Sequence, residues 1–416
     1  MKIAFVTARA PYPPDAGGRI RTFHLLREIT REHAVTLVTA ADGEVERHAL
    51  AGLSSAVPGL AARIAAVPPR NGFVSRAVRT LRSPFDPLPW TWAAYRHPEF
   101  VANLACALAE SRFDVVHCDH VQVADAVASM PTPPRVLNLH NVESTIFRRL
   151  AETETNLVKR RLIAWQARKA ARAEAAAFRR FDRCIAVSDV EREEIARIAP
   201  AVPLSVVPNG VDLVAFRPVE IAPTSPSVVF TGAMDWVPNA DAVRFFARQV
   251  LPRLRASRPD VTFTVVGRDP PAALVRELAE PGITFTGTVD DVRPYVAAAA
   301  VVVVPLRIGG GTRLKILEAW AMAKPVVSTT VGAEGLPVRD RGNILIADRE
   351  DDLAAAIAEL LGDPGRAAAL GRAGRKTVEE TFSWHRLGAA LIEAYAQTIA
   401  AAECGRPADG RRGPGV

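Results

Sequence analysis

The sequence predicts an α/β protein built from two doubly wound parallel-sheet domains. Short Val/Ile-rich runs alternate with Ala/Leu/Arg-rich stretches of helical period along the chain. This alternation is interrupted at 207–227, a segment rich in proline and turn residues, and then begins again. The chain has 416 residues, of which 49% are hydrophobic, so it is long enough to bury two cores.

The apolar runs read as buried parallel strands, which carry apolar residues on both faces. In the first half they are 2–8, 34–40, 114–118, 135–140 and 183–188. In the second half they are 227–232, 261–267, 283–287, 301–305 and 324–329. The intervening segments 19–31 and 151–181 have helical period, as does 384–403.

These elements predict an N-terminal domain at 1–206 and a C-terminal domain at 207–383. The helix at 384–403 is expected to pack back on the first domain, and the Gly/Pro/Arg-rich tail 404–416 to be disordered. Open parallel sheets bind ligands beyond the carboxyl ends of their strands. Two such domains facing each other would form a central cleft.

Composition narrows the function classes. The formal charge is +7, from 52 basic and 45 acidic residues, which suggests an anionic ligand or surface. No nucleic-acid recognition motif is present, so no nucleic-acid partner is expected. The four cysteines show no metal-type spacing and read as reduced thiols. The longest apolar run, 296–306, is shorter than the ~18 residues of a membrane span, and we expect a cytoplasmic protein.

The segment LRIGGGTRLKILEAW (306–320) joins a predicted strand to a predicted helix. Arg313 and Lys315 lie in the first turn of that helix, where the helix dipole disfavours cations unless an anion is bound. Thr312 is a good candidate N-cap. Glycines before it allow a ligand to approach the backbone: Gly309, Gly310 and Gly311. The combination predicts a phosphate or diphosphate site.

A structural interpretation of the same segment stays open. Lys315 and Glu318 are three residues apart and would pair on a solvated helix face, while the glycines would only turn the chain. In the ligand interpretation, which we favour, Glu318 lies one turn beyond the anion site. Its carboxylate would then accept hydrogen bonds from paired sugar hydroxyls.

Motifs over about residues 2–400 resemble family-4 glycosyltransferases, the retaining glycosyl transferases of group 1 type. The principal segment is GGGTRLKILEAWAMAKPVVSTTVGAEGL (309–336). The others, in chain order, are AGG (16–18), LNLHNVES (137–144), CIAVSDVERE (184–193), VPNGVD (207–212) and FTGAMDWVPN (230–239). The resemblance implies the GT-B fold, with an acceptor-side N-terminal domain and a nucleotide-sugar donor domain following it.

The resemblance also implies roles for individual residues. Glu318 matches the second Glu of the family's E-x7-E motif, which contacts the nucleotide ribose. The first Glu would fall at position 310, which is glycine here. The family's Arg and Lys that bind the diphosphate would fall near Met234 and Asn239. We hypothesise that Arg313 and Lys315 supply the missing positive charge from the opposite wall of the cleft.

Further positions match the family's site. His140 matches the cleft histidine that hydrogen-bonds the transferred sugar, although a histidine at a strand end is often purely structural. Gly17 and Gly18 match the loop glycines that lie over the donor phosphates, and Gly232 matches a glycine at a strand end. Arg268 is a candidate phosphate- or sugar-binding residue. The backbone at Val289 would contact the base. A surface arginine is an equally good interpretation of Arg268.

Neither a metal nor an organic cofactor is expected. His117, Asp119 and His120 form a short cluster with metal-type ligands, but one such cluster is thin support for a metal site. Enzymes resembling this one need no metal. The segment AGGRIR does not fit GxGxxG, which argues against a nicotinamide cofactor. The nucleoside diphosphate sugar is therefore expected as donor substrate, not as cofactor.

Two segments bear on the acceptor. The segment 83–100 carries Trp90, Trp92 and Tyr95, whose faces suit sugars or lipids but are more often core. The basic helical segment 156–181 suits an anionic membrane surface, although a solvated supporting helix is the favoured interpretation. The acceptor is expected to be a sugar, a lipid-linked molecule or a small molecule, with peripheral contact to the inner face of the membrane an open alternative.

The function predicted is transfer of a sugar from a nucleoside diphosphate sugar to an acceptor hydroxyl with retention, in polysaccharide or glycoconjugate biosynthesis. Two alternatives remain. One is an epimerase or hydrolase acting on sugar nucleotides with the same fold. The other is a non-catalytic sugar-nucleotide-binding protein, which the glycine at position 310 favours.

Overall fold

A computed structural model describes residues 1–43, 48, 50–67, 83, 85–93, 95–219, 226–309 and 312–404. The chain divides into two compact units. The first combines Met1–Ser144, Ala164–Val207 and Gly388–Val416, and the second combines Thr145–Ile163 with Pro208–Leu387. Both units are therefore built from segments that are distant in sequence. The tail 405–416, predicted to be disordered, lies outside the described residues.

The first unit contains a seven-stranded parallel sheet of order β3-β2-β1-β4-β5-β6-β7. The strands are β1 (Lys2–Thr7), β2 (Ala34–Asp42), β3 (Ala61–Val67), β4 (Val115–Asp119), β5 (Arg135–Asn138), β6 (Arg183–Ala186) and β7 (Leu204–Val206). Strand β1 is central, and its Ile3 pairs with Val35 on one side and Val115 on the other. The buried core of this unit is formed by apolar side chains of these strands and of the helices packed on them.

The helices that begin in the first half of the chain connect these strands. They are α1 (Gly17–Ile29), α2 (Leu53–Ala56), α3 (Trp90–Ala93), α4 (Pro98–Glu110), α5 (Ala124–Ala128), α6 (Glu143–Thr153), α7 (Leu157–Phe178) and α8 (Asp189–Ile198). A short 3₁₀ turn, Val121–Val123, precedes α5. Most of α6 and the start of α7 belong to the second unit.

The second unit contains a six-stranded parallel sheet of order β10-β9-β8-β11-β12-β13. The strands are β8 (Ser227–Thr231), β9 (Thr262–Val266), β10 (Ile283–Phe285), β11 (Val301–Val304), β12 (Val326–Ser328) and β13 (Leu345–Ile346). Val228 of the central strand pairs with Phe263 and Val301. The apolar runs of these strands lie in the buried core, as expected for a sheet covered on both faces.

The later helices are α9 (Val237–Phe245), α10 (Leu251–Ser257), α11 (Ala272–Glu277), α12 (Arg293–Ala298), α13 (Leu314–Ala321), α14 (Glu350–Gly362), α15 (Pro364–Thr381) and α16 (Trp384–Cys404). A π-helical turn, Phe246–Val250, joins α9 to α10. Across 1–43, 50–67, 85–93, 95–219, 226–309 and 312–404, no helix is long and apolar enough to cross a bilayer.

In each sheet the strand order reverses beside the first strand of the unit. The chain moves outward from β1 through β2 to β3 and then returns to place β4 on the other side of β1. It repeats this path from β8, with β11 as the returning strand. The loops after two adjacent strands part at such a switch point and leave a crevice, which is where ligands bind in open α/β sheets. Each unit therefore has one ligand-binding crevice defined by its topology.

The ten predicted strands are confirmed, with ends that differ by one or two residues. Three strands went unpredicted: β3 is rich in alanine and reads as helix, while β7 and β13 are very short. The single helix predicted at 151–181 is wrong, because α6 ends at Thr153 and α7 begins at Leu157. The side chain of Asn156 accepts hydrogen bonds from the amides of Val158 and Lys159, so it caps the new helix.

Candidate functional site

The crevice of the second unit is lined by a half-buried lysine. Lys315 is the second residue of α13, just after the loop that follows β11. Its Nζ donates a 2.9 Å hydrogen bond to Oδ1 of Asn239 in α9. A Cβ added to Gly232, which directly follows β8, would lie 2.8 Å from the same Nζ. The ammonium group therefore lies between the ends of β8 and β11, at the switch point.

The surroundings of Lys315 act on its proton affinity in opposite directions. Its Nζ lies 3.8 Å from the centroid of the Phe230 ring, a cation–π contact that favours the charged form. Burial lowers the pKa of Lys315 to about 7, and the charge of Arg313 acts in the same direction. An anion bound beside this lysine would restore its proton, because opposite charge favours the ionised form.

Glu318 lies one turn further along α13. Burial raises the pKa of its carboxyl to about 7, an effect that Lys315 partly opposes. Within the part of the chain that the structure describes, no ion pair joins these two residues, since the hydrogen bond of Lys315 goes to Asn239. The interpretation of the two residues as a simple surface pair therefore finds no support in the geometry.

Arg313 is the N-cap residue of α13 and is buried. Its Nη2 lies 3.4 Å from the carbonyl oxygen of Val331, and a Cβ added to Gly309 would lie 2.6 Å from it. Thr312, the predicted N-cap, precedes the cap by one residue, so that prediction is wrong. Its carbonyl oxygen instead accepts a 3.2 Å hydrogen bond from Asn209. Gly310 and Gly311 lie outside the described residues.

An arginine that the sequence did not single out contacts Gly309, which precedes α13. Arg149, in α6, makes a two-pronged ion pair with Glu334, at 2.5 and 2.6 Å, and also donates a hydrogen bond to the carbonyl of Gly309. These residues are separated by 160 and 185 positions along the chain. No local sequence signal indicates such a contact. The guanidinium of Arg149 therefore fixes the position of Gly309.

Two further candidates lie near the strand ends of this unit. Arg268 follows β9, and its guanidinium lies 3.7 Å from Asp235 and 3.6 Å from Asp269. Val289 is partly buried against the core of the unit. The predicted binding roles of both residues remain predictions.

The crevice of the first unit is organised around one buried carboxylate. Asp119, the last residue of β4, is fully buried. It accepts hydrogen bonds from the hydroxyl of Thr22 (2.5 Å), the amide of Asn138 (2.7 Å) and Nε2 of His140 (2.9 Å). Burial alone would raise the pKa of Asp119. The surrounding histidines outweigh this effect and hold the pKa well below its usual range.

His140 is thereby fixed at the end of β5. Burial lowers the pKa of its imidazole to about 4, so the ring is neutral at physiological pH. The ring of His120 stacks on it, with centroids 3.8 Å apart and an interplanar angle of 23°. Nδ1 of His120 lies 2.8 Å from the backbone carbonyl oxygen of Asp119. Gly18, in the first turn of α1, lies beside both rings, and Gly17 is the first residue of that helix.

Two further buried side chains, Arg21 and His117, lie next to this cluster. Nη2 of Arg21 donates hydrogen bonds to Oδ1 of Asn138 and to the carbonyl of Val207, and burial lowers the pKa of Arg21 to about 10. His117 stacks on Phe5 and hydrogen-bonds the hydroxyl of Tyr395 in α16. His117 is therefore a core residue.

The aromatic segment predicted as an acceptor region is partly structural. Trp92 is buried, and its indole donates a 2.7 Å hydrogen bond to Glu143, the first residue of α6. Glu174 accepts hydrogen bonds from the amides of Glu143 and Ser144, and burial raises its pKa to about 8. These contacts tie α3, α6 and α7 together.

The histidine cluster also has the composition of a metal site. Asp119, His120 and His140 each offer one ligand atom within 4.8 Å of the others. Both oxygens of Asp119 already accept hydrogen bonds from protein donors. The two stacked rings turn nitrogens towards Asp119 in hydrogen-bonding geometry. The arrangement therefore fits a hydrogen-bonded network better than a metal centre.

Comparison with known proteins places these crevices in a family. The model described as Glycosyltransferase Family 4 matches residues 16–214, and the model described as Glycosyl transferases group 1 matches residues 225–363. Together the two matches span most of the chain. Each match includes the crevice of one unit.

Sequence relatives include two mannosyltransferases. One is the GDP-mannose-dependent monoacylated alpha-(1-6)-phosphatidylinositol monomannoside mannosyltransferase of Corynebacterium glutamicum, 30% identical over 44% of this chain and 54% of that protein. The other is the GDP-mannose-dependent alpha-(1-6)-phosphatidylinositol monomannoside mannosyltransferase of Mycobacterium tuberculosis, 31% identical over 50% of this chain and 60% of that protein. The similarity thus covers little more than half of each relative.

Solved structures share the fold. The sucrose-phosphate synthase of Thermosynechococcus elongatus superposes with a TM-score of 0.72 and 20% identity, over 96% of this chain and 100% of that one. At this identity the likeness shows the architecture, which is that of the GT-B glycosyltransferases. The matched family models, the relatives and the fold agree, and the chain belongs to the glycosyltransferases of family 4, the group 1 glycosyl transferases.

Proposed function

We propose that this protein transfers a sugar from a nucleoside diphosphate sugar to an acceptor hydroxyl, with retention of the anomeric configuration. One observation carries the proposal. The ammonium of Lys315 lies at the switch point of the second unit, bonded to Asn239 and close to Gly232. At position 239 the family resemblance leads one to expect a lysine. Here Lys315, from the neighbouring helix α13, places its ammonium group beside Asn239.

In this proposal the second unit binds the donor diphosphate. Lys315 and the buried Arg313 provide positive charge, and the free amides at the start of α13 point towards the same anion. As the bond to the sugar breaks, negative charge grows on the leaving diphosphate. Cations already fixed in a partly buried site stabilise that charge without reorganisation. Glu318, one turn on, would accept hydrogen bonds from the ribose hydroxyls.

The first unit is proposed to bind the sugar. Nε2 of His140 is held by Asp119, so the ring can only turn its Nδ1 towards a ligand. A neutral imidazole there accepts a hydrogen bond from a sugar hydroxyl. Retention is proposed because the resembling family is retaining, and no side chain is assigned as general base. The proposal requires neither a metal ion nor an organic cofactor.

The relatives suggest a donor and an acceptor class. Both are GDP-mannose-dependent and act on phosphatidylinositol mannosides. We propose GDP-mannose as the first donor to test, and a lipid-linked or polyol acceptor in glycoconjugate or polysaccharide biosynthesis.

In this proposal the start of α7 contacts the inner face of the membrane. Three aliphatic side chains there are strongly exposed: Leu157 by 60%, Val158 by 78% and Leu162 by 41%. Three exposed cations lie among them: Lys159, Arg160 and Arg161. Exposed apolar groups surrounded by positive charge suit the interface of an anionic bilayer. Binding to phosphatidylglycerol vesicles but not to phosphatidylcholine vesicles, lost in Leu157→Ser/Val158→Ser, would support this contact.

The central test is a titration with GDP-mannose, UDP-glucose and related donors, followed by thermal unfolding. A ligand that binds only the folded state at a hundredfold excess over its Kd raises stability by about 2.7 kcal/mol. We expect one donor to stabilise the protein, and Arg313→Ala and Glu318→Ala to abolish the shift. With that donor and an acceptor polyol or lipid, NMR of the product should show retention at the anomeric carbon.

The outcomes separate the alternatives. Stabilisation without any turnover would favour a non-catalytic binding protein, while turnover of the donor without an acceptor would favour an epimerase or hydrolase. If no donor stabilises a protein shown to be folded, the proposal is wrong.

A further inference from the structure

The space beside Gly18 is bounded by two imidazoles. A Cβ added to this glycine would lie 3.4 Å from Nε2 of His120 and 3.5 Å from Nδ1 of His140. Both nitrogens are therefore directed towards the same small space, which the absence of a side chain at residue 18 keeps open. The space lies at the carboxyl ends of β1, β4 and β5, in the crevice of the first unit.

Hydrogen-bond partners assign the protons on both rings. Nε2 of His140 lies 2.9 Å from a carboxylate oxygen of Asp119, and an ionised carboxylate only accepts. Nε2 of His140 thus carries the proton and Nδ1 the lone pair. Nδ1 of His120 lies 2.8 Å from the backbone carbonyl oxygen of Asp119, which also only accepts. Nδ1 of His120 thus carries a proton, and in the neutral ring Nε2 is the second lone pair.

His120 holds this position in a conformation that is rare for its residue type. Its φ is 85° and its ψ is 134°, a backbone region that residues with a Cβ seldom adopt. The strained backbone places the ring flat against His140 and turns Nε2 towards Gly18. A histidine needed only for packing would not require this combination of strain and orientation.

Two fixed lone pairs call for a ligand with two protons to donate. Neighbouring hydroxyl groups of a sugar or polyol meet this demand, whereas the oxygens of an ionised phosphate carry no proton. We infer that His120 and His140 together bind a pair of hydroxyl groups beside Gly18, which makes His120 a specificity-determining residue. The inference rests on the proposed function for the source of the hydroxyls, either the donor hexose or a polyol acceptor.

The first experiment reads the two rings directly in the full chain. ¹⁵N spectra of histidine-labelled protein at neutral pH should show His140 protonated on Nε2 and His120 on Nδ1. Titration with mannose or myo-inositol should shift the two unprotonated nitrogens, while inorganic phosphate should not. The opposite tautomers, a shift with phosphate alone, or no shift with either hydroxyl probe at high concentration would each overturn the inference.

The second experiment separates binding from folding. Gly18→Ala places a methyl group at ordinary contact distance from both nitrogens and favours the helix, so the protein should fold as well as the wild type. Asparagine accepts a positive φ about as readily as histidine, so His120→Asn should keep the backbone geometry, and thermal unfolding checks that the variant folds. Each variant should bind the hydroxyl-bearing ligand about tenfold more weakly, in line with one lost hydrogen bond.

Matched ligands identify the source of the hydroxyls. Weaker binding of GDP-mannose with unchanged binding of GDP points to the donor hexose. A raised KM for the acceptor alone points to the polyol. An equal loss for GDP would make this a phosphate site, and unchanged affinities and KM values in both variants would make His120 structural; both results contradict the inference. If the wild type neither binds a sugar nucleotide nor transfers a sugar, the proposed function fails, and the histidine spectra with mannose and myo-inositol still decide this inference.

Discussion

The two crevices of this protein share a topology and differ in chemistry. Each lies where a parallel sheet reverses its strand order, beside the first strand of its unit. In the first unit a buried carboxylate organises two imidazoles, and in the second unit a buried arginine and a half-buried lysine lie at the start of a helix. The fold determines where ligands can bind, and the side chains at the strand ends determine which chemical groups bind there.

The two sites also differ in the protonation of their side chains before a ligand binds. The first is a hydrogen-bonded network around Asp119, and its rings offer lone pairs. The second holds Lys315 with its pKa lowered to about 7, which an incoming phosphate would reverse. The first site therefore suits hydroxyl groups, and the second suits anions. The following predictions test this contrast, from the largest expected effect to the smallest.

Removing the carboxylate of the first site should have the largest effect on folding. Asp119→Ala leaves the donors of Thr22, Asn138 and His140 without their buried acceptor. Losing one member of a buried charged network costs about 3–5 kcal/mol. Denaturant unfolding should show this loss. The control Asp125→Ala removes an exposed carboxylate paired with Arg180 and should cost less than about 1 kcal/mol. Equal losses in the two variants would contradict the central role of Asp119.

The neutral state of His140 predicts a pH dependence of stability. Its folded pKa of about 4 lies below the unfolded value near 6.5, so the unfolded chain binds more protons between these values. The free energy of unfolding should therefore fall as the pH drops from about 6.5 to about 4, by up to about 3 kcal/mol from this residue. The wild type and His140→Gln should be compared across this range, because their difference isolates His140. Parallel stability curves would show that this ring is not held neutral.

Removing the cation of the second site should weaken donor binding. Lys315→Met keeps most of the side-chain volume and removes a charge-assisted contact to the diphosphate, worth about 1.5–3 kcal/mol. We expect a loss of roughly 100-fold in affinity for GDP-mannose and for GDP alike, measured by calorimetry. Lys376→Met removes an exposed surface lysine of the same unit and serves as control. A loss confined to GDP-mannose would mean that Lys315 contacts the sugar instead of the phosphates.

The ion pair of Arg149, which also contacts Gly309, should have the smallest effect of the four. Arg149→Lys keeps the charge but loses the two-pronged contact with Glu334. Gly309 would be less firmly positioned, and KM for the donor should rise about tenfold, as for about 1.4 kcal/mol of lost binding. Arg148→Lys, an exposed neighbour paired with Glu152, is the matched control. An unchanged KM would show that the contact of Arg149 with Gly309 does not matter for donor binding.

Much of the fold was predictable from the sequence because buried parallel strands leave an unmistakable apolar pattern. The runs at β1, β8 and β11 are buried on both faces and contain few polar residues. The alanine-rich β3 lacks that pattern, so its strand depends on pairing with β2. The break between α6 and α7 rests on the single capping residue Asn156, within a strongly helical composition.

The site was predictable only where chemistry follows a strand directly in sequence. Lys315 and His140 could be found this way. Asp119 looked like part of a metal cluster, because a sequence does not show that its oxygens already have donors. Arg149 could not be found, since its partner Gly309 is 160 residues away. The orientation of His120 depends on a backbone angle that its residue type does not favour.

The hydrogen bond between Tyr395 and His117 has a consequence for biosynthesis. It joins residues 278 positions apart, and both are buried in the first unit. During translation, the strand that carries His117 leaves the ribosome long before the helix that completes its environment. The nascent first unit therefore remains incomplete while nearly all of the second unit is synthesised. A chain interrupted before residue 384 would lack this closing helix, and we expect it to depend on chaperones and to be degraded.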